Sequence, residues 1–156
     1  MMNDIFSDGL SKHWDEIIDW DHRKNIALPW LDSICKQFNV KEILDVTTGT
    51  GFDAINLSKC GYKVTATDLS ESMLNVAKDN AKYYAQNINF YLSDWAELPT
   101  KLHSRRYDAI ICLGNSFACE LDSEKRKDAI VNFYKLLSPG GILIIDHRNY
   151  DALLNA

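Results

Sequence analysis

The sequence predicts an α/β fold, a doubly wound and mainly parallel sheet in a single domain, and three observations predict it. From residue 42 onward, apolar runs of strand length alternate strictly with segments of helical periodicity, the pattern of a parallel sheet built with right-handed crossovers. The first run, Ile43-Leu44-Asp45-Val46, passes into Thr47-Thr48-Gly49-Thr50-Gly51, a glycine turn that opens a helix. Backbone in such a turn can come close to a ligand lying across it. Asp68 ends the next apolar run, about 20 positions on, where its two acceptor oxygens can hold a ribose diol. Such a unit binds an adenosine-containing cofactor.

The elements follow in order. Leu10, Trp14, Ile17 and Ile18 share one face of a first helix. Ala27, Leu28, Leu31, Ile34, Cys35 and Phe38 continue at helical spacing, with Pro29 marking a start or a kink. Residues 42–46 form strand one, and the helix over 52–60 is ended by Gly61. Thr50 with Asp53 has the spacing of a capping box for that helix. Residues 62–67 are strand two. Ser70 caps a helix whose Met73, Leu74, Ala77, Ala81 and Tyr84 make the buried stripe. Residues 88–92 and 107–112 read as strands three and four. A helix from about Ser123 buries Ala129, Ile130, Phe133, Leu136 and Leu137, and Ser138-Pro139-Gly140-Gly141 stops it. Residues 142–145 are a fifth strand with the unbroken apolar run of one covered on both faces.

Composition narrows the class. The 156 residues suit one domain with a real core, and 46% hydrophobic with 25% charged residues is an ordinary globular balance. A net charge of −5 argues against nucleic-acid or membrane-surface binding, which wants a basic face. The short cluster Lys125-Arg126-Lys127 reads as a solvated helix face. No apolar stretch approaches the roughly 20 residues of a membrane span, and the amino terminus has no signal-peptide pattern. Cys35, Cys60, Cys112 and Cys119 lack zinc-ligand or redox spacing, as expected of reduced thiols in the cytoplasm. No metal site is expected.

The glycines alone leave the cofactor open. Gly49-Thr50-Gly51-Phe52-Asp53-Ala54 also satisfies the relaxed dinucleotide fingerprint, which would make the chain an NAD-dependent oxidoreductase. Asp45 points the other way. A carboxylate just before the turn suits a cationic head better than a pyrophosphate, which it would repel. S-adenosylmethionine carries both a sulfonium and an ammonium group. In a parallel sheet the ligand sits beyond the carboxyl ends of the strands, so function falls to residues 47–51, 68–69, 94–95, 113–116 and 146–149.

ILDVTTGTG, VTATDLSESML, SDW, ICLGNSF and DHRNYD together resemble the glycine and glycine/sarcosine N-methyltransferases, class I methyltransferases with a Rossmann-like doubly wound sheet. WDEIIDWDHR resembles the amino-terminal helix of the bacterial glycine/sarcosine enzymes. The similarity runs from about Trp14 to Leu154. Its glycine loop is common to all class I methyltransferases, whereas ICLGNSF with DHRNYD carries the substrate assignment.

The resemblance implies S-adenosylmethionine as cofactor and residues 1–156 as one methyltransferase domain, a helical segment over 1–40 preceding an α/β core over 41–156. It implies that Asp68 takes the ribose hydroxyls, that Leu69 and Trp95 pack against adenine, and that Asp94 meets the adenine amine. Thr47 and Gly49 would line the methionine part, Arg23 would pair with its carboxylate beside Trp14, and Leu113 would close over it. Asn115 and Arg148 would hold the acceptor, glycine or sarcosine. The arginine's planar fork matches a carboxylate, and Asn115 would orient the amine for in-line displacement. No base is assigned, since no His–carboxylate pair has motif spacing and alternation turns His147 away from Arg148.

Two features depart from the family. Cys119 stands where a histidine near the cofactor is usual. The family also continues past DHRNYD with two further strands and a substrate cover, while this sequence stops at Ala156. Strand five is therefore expected to be an apolar sheet edge, so that the isolated chain self-associates, binds the cofactor weakly and turns over slowly. A non-catalytic S-adenosylmethionine-binding module is the alternative to a working enzyme.

Overall fold

The computed structural model describes residues 8–18 and 20–154. In chain order the elements are α1 (Asp8–Ile17), α2 (Trp20–Gln37), β1 (Glu42–Asp45), α3 (Phe52–Lys59), β2 (Lys63–Asp68), α4 (Glu71–Tyr83), β3 (Asn89–Leu92), α5 (Leu98–Lys101), β4 (Tyr107–Cys112), α6 (Ser116–Cys119), α7 (Ser123–Leu136), β5 (Leu137–Ile145) and α8 (Tyr150–Leu154). The five strands form one sheet in the order β3-β2-β1-β4-β5, and every neighbouring pair is parallel.

Period-two alternation explains the two cores. Ile43, Ala109 and Ile111 face one side, where α2 contributes Leu31 and Cys35 and α3 contributes Ala54, Ile55 and Leu57. Their chain neighbours Leu44, Ile110 and Cys112 face the other, against Leu98 and Leu102 around α5 and Ala129, Phe133 and Leu136 of α7. Strands β1 and β4 are central and covered on both faces, which is why they read as continuous apolar runs. Ser70 caps α4 by accepting from the Met73 amide at 3.3 Å, and Asp122 caps α7 by accepting from the Glu124 amide at 2.9 Å.

Several expectations are corrected. Ile17 at the end of α1 and Phe38 just past the end of α2 are exposed, so both apolar faces stop short of the periodicity. Leu10's side chain lies outside the described residues. Pro29 sits inside α2 rather than at its start. Ile130 and Tyr84 are exposed at the rims of their stripes. Strand β5 begins at Leu137, ahead of Ser138-Pro139-Gly140-Gly141. The pairing steps from Tyr107↔Leu137 to Ala109↔Ile142, so those four residues bulge out of the ladder instead of ending a helix. Of 142–145 only Ile144 is fully buried, because β5 pairs with β4 alone and is a sheet edge in this chain.

The capping box is also absent. Gly51, at φ 91°, occupies the N-cap of α3 without a side-chain bond. Thr50 is thus one residue too early, and its Oγ1 is buried with no hydrogen-bond partner among the described residues. The left-handed turn is what the glycine is for. A Cβ at Gly51 would meet Ala77 Cβ and Ile55 Cδ1 at 3.2 Å, besides the strained φ. Gly51→Ala is expected to cost at least roughly 1–3 kcal/mol, read as a lower urea midpoint with an unchanged slope.

Candidate functional site

The carboxyl ends of β1, β2 and β4 converge on the glycine turn, and hydrogen bonds from side chains hold its shape. Thr47 Oγ1 accepts from the Leu113 amide at 3.0 Å and donates to the Leu113 carbonyl at 3.2 Å, tying the end of β1 to the end of β4. The Thr47 amide donates to Asp45 Oδ1 at 3.1 Å. Asp68 bridges the turn to the second loop, its Oδ2 accepting from the Gly49 amide at 2.7 Å and its Oδ1 from the Ser70 amide at 2.9 Å. An ionised carboxylate offers about four acceptor positions, and with the Leu69 amide also turned toward it, one remains. Trp14 of α1 lies over the turn, its indole nitrogen 3.8 Å from where a Cβ on Gly49 would stand.

Arg23 and Asp53 meet beside this turn. Arg23 Nη2 donates to Asp53 Oδ2 at 2.7 Å, and its Cζ lies 5.5 Å from the centre of the Phe52 ring. Arg23 Nε is buried without a partner among the described residues. Asn80 of α4 closes the far side, its Nδ2 donating to Asp15 Oδ2 at 2.8 Å and to the Thr50 carbonyl at 3.0 Å.

The electrostatics are those of a buried acidic cluster. Burial, then the charges of Asp53 and Asp68, push the Asp45 carboxyl up to about 8, against the bond from Thr47. Burial raises Asp53 as well, opposed by Arg23, and raises Asp68, opposed by the amides of Ser70, Gly49 and Leu69. The sign follows by linkage. A folded-state carboxyl titrating above its unfolded value of 3.8 holds a proton that the unfolded chain has released. Its contribution to stability is then greatest below the unfolded value and is lost as pH rises toward 8. Asp45→Asn keeps an acceptor for Thr47 and removes that titration. The variant is expected to gain on the wild type between pH 5 and pH 8, at up to about 1.4 kcal/mol per pH unit. Urea unfolding at both pH values reads the difference, and an equal gap at the two would contradict it.

A second group gathers at the ends of β4 and β5. Asn115, in a left-handed conformation at φ 65°, accepts at Oδ1 from the Arg148 amide at 3.0 Å and from the Tyr150 hydroxyl at 3.0 Å. Its Nδ2 reaches the Tyr150 oxygen at 2.7 Å and Cys119 Sγ at 3.7 Å. The Asn115 amide donates to Asp146 Oδ1 at 2.8 Å. Arg148 itself is exposed.

The remaining expected residues flank the turn. Leu69 is exposed at the end of β2. Asp94 is exposed and accepts from the Ala96 amide at 2.9 Å. Trp95 turns inward, where its Nε1 donates to the Val46 carbonyl at 3.0 Å and its ring stacks on Phe117 at 5.9 Å. Leu113 is buried in the core below the strand ends. Asp53, Asn80 and Tyr150 were missed as members of the site. A polar residue on the first turn after the glycines was a signal for Asp53, and Tyr150 lies within DHRNYD; Asn80 gave none, since its partners are remote in sequence.

Residues 43–141 match the family model described as Methyltransferase domain. The chain is 38% identical over 150 residues to a glycine/sarcosine N-methyltransferase of Halorhodospira halochloris, covering 96% of this chain and 56% of that protein. It is 34% identical over 164 residues to the glycine N-methyltransferase of Mus musculus, covering 97% and 56%. Among solved structures, an S-adenosylmethionine-dependent methyltransferase from Clostridium acetobutylicum superposes with a TM-score of 0.72 at 26% identity, over 80% of this chain and 50% of that one. The chain thus spans about half the length of the curated relatives it matches. The glycine turn, Asp68 and Asn115 all fall inside the matched stretch, and the chain belongs to the methyltransferase domain family.

Proposed function

We propose that this chain binds S-adenosylmethionine at the glycine turn and transfers its methyl group to the amino nitrogen of glycine or sarcosine. The observation that carries the reading is the acidic turn, where Asp45, Asp53 and Asp68 surround backbone that must meet the ligand. Burial pushes the Asp45 carboxyl up to about 8; a cationic ligand beside it would draw off the proton and pair with the carboxylate, whereas a pyrophosphate there would hold the proton on and gain no partner. That disfavours the nicotinamide alternative. The residues present fit the proposed cofactor in three further respects. Asp68 keeps an acceptor position for a ribose diol, Arg23 has a desolvated donor for a carboxylate, and the Trp14 indole edge stands over Gly49.

When bound there, S-adenosylmethionine supplies an electrophilic methyl for direct displacement by an amine. The chain's own part is placement, bringing the amine into near-attack geometry. Asn115 is set by its bonds to Arg148 and Tyr150, and the Arg148 guanidinium makes no ion pair with a described residue, leaving its fork for the acceptor carboxylate. Similarity to a glycine/sarcosine N-methyltransferase and a glycine N-methyltransferase supports glycine and sarcosine as acceptors.

The test is transfer of labelled methyl from S-adenosylmethionine by the purified chain to glycine, sarcosine and methylamine. Label is expected in the first two and not in methylamine, which lacks the carboxylate. Equal labelling of all three would overturn the acceptor assignment. Saturable cofactor binding with no labelled product would favour a binding module.

A further inference from the structure

We propose that Asp53 is a positioning residue that sets the Arg23 guanidinium for the carboxylate of the bound cofactor; this rests on the cofactor reading above. Asp53 lies in the first turn of α3, directly after the glycine turn, and takes Nη2 of Arg23 at 2.7 Å. The pair joins α2 to α3 across 30 residues of sequence and is largely shielded, with side chains 25% and 14% exposed. A bridge that served only to fasten two helices would leave no reason for the guanidinium to hold a further buried donor. Arg23 Nε is such a donor, without a partner among the described residues. An unpaired buried donor is costly, and it is tolerated where a ligand oxygen can satisfy it. The Phe52 ring lies beside the guanidinium and limits its swing, so Asp53 fixes the remaining direction.

The charge balance also needs Asp53. Asp146 and Asp45 act on Arg23 as well, but through their charge alone, while Asp53 takes the hydrogen bond. With Asp53 removed, the guanidinium is free to turn toward those carboxylates and away from a ligand. The role therefore differs from that of a salt bridge contributing only stability, and the ligand series can separate the two.

The experiment measures binding of S-adenosylmethionine and of its decarboxylated analogue, which keeps the sulfonium and ammonium groups, by calorimetry on the wild type, Asp53→Asn and Asp53→Glu. The wild type is expected to prefer the carboxylate-bearing ligand by at least about tenfold. Asp53→Asn should lose most of that preference, the carboxylate-bearing ligand weakening by about tenfold more than the decarboxylated one. Asp53→Glu keeps the charge and guards against a variant that does not fold; it should retain stability while losing part of the preference. A thermal scan of each variant reports folding. Equal weakening of both ligands in both variants, or an unchanged preference, would overturn the proposal. A wild type that binds both ligands equally would also overturn it while leaving the cofactor reading intact, and a wild type that binds neither would remove both.

Discussion

Asp68→Ala is expected to weaken binding of S-adenosylhomocysteine by about one to two decades, and it is the largest single effect expected at the cofactor seat. The ribose diol would donate to a carboxylate, and charge-assisted bonds of this type contribute roughly 1.5–3 kcal/mol, which converts to that range. The structure adds a second loss. Asp68 also holds the Gly49 and Ser70 amides at 2.7 and 2.9 Å, so its removal loosens the turn that the ligand must cross. Asp68→Asn separates the contributions, because one amide can still be accepted while the other faces a donor. Calorimetry should rank wild type above Asn above Ala. An unchanged dissociation constant in a folded Ala variant would contradict the placement of the ribose.

Asn115→Ala is expected to lower kcat/KM for glycine by about 10²-fold while S-adenosylhomocysteine binds within about threefold of wild type. The magnitude is what misplacement of a reacting group by about 1 Å can cost. Asn115 Oδ1 gathers the Arg148 amide and the Tyr150 hydroxyl, so its loss frees the segment that carries the guanidinium. Alanine at φ 65° adds strain. Asn115→Gly, which takes that φ freely, isolates the hydrogen bonds and should show the same loss. A Gly variant with normal glycine turnover would show that the network is not needed.

Much of the architecture was legible because strands β1, β2 and β4 are flanked by helices and bury both faces, so their apolar runs stand out. The glycine turn and Asp68 were legible for the same reason, being fixed in spacing by a local strand-turn-helix unit. What was not legible depends on contacts between remote segments. Nothing near Asp53 announces that Arg23, 30 residues earlier, will take it, and the local capping reading was the natural competitor. The contacts that fix Trp95, to the Val46 carbonyl and the Phe117 ring, likewise come from segments remote in sequence. The start of β5 was hidden by Pro139 and Gly140, which ordinarily end an element but here sit in a bulge.

The central claim is that an adenosyl cofactor seats across the glycine turn with its ribose on Asp68. A crystal structure of the chain with S-adenosylhomocysteine tests it most directly. Both ribose hydroxyls are expected within hydrogen-bond distance of the Asp68 oxygens, with the ligand carboxylate at Arg23. A ligand seated away from residues 47–51, or with its ribose on another side chain, would contradict it.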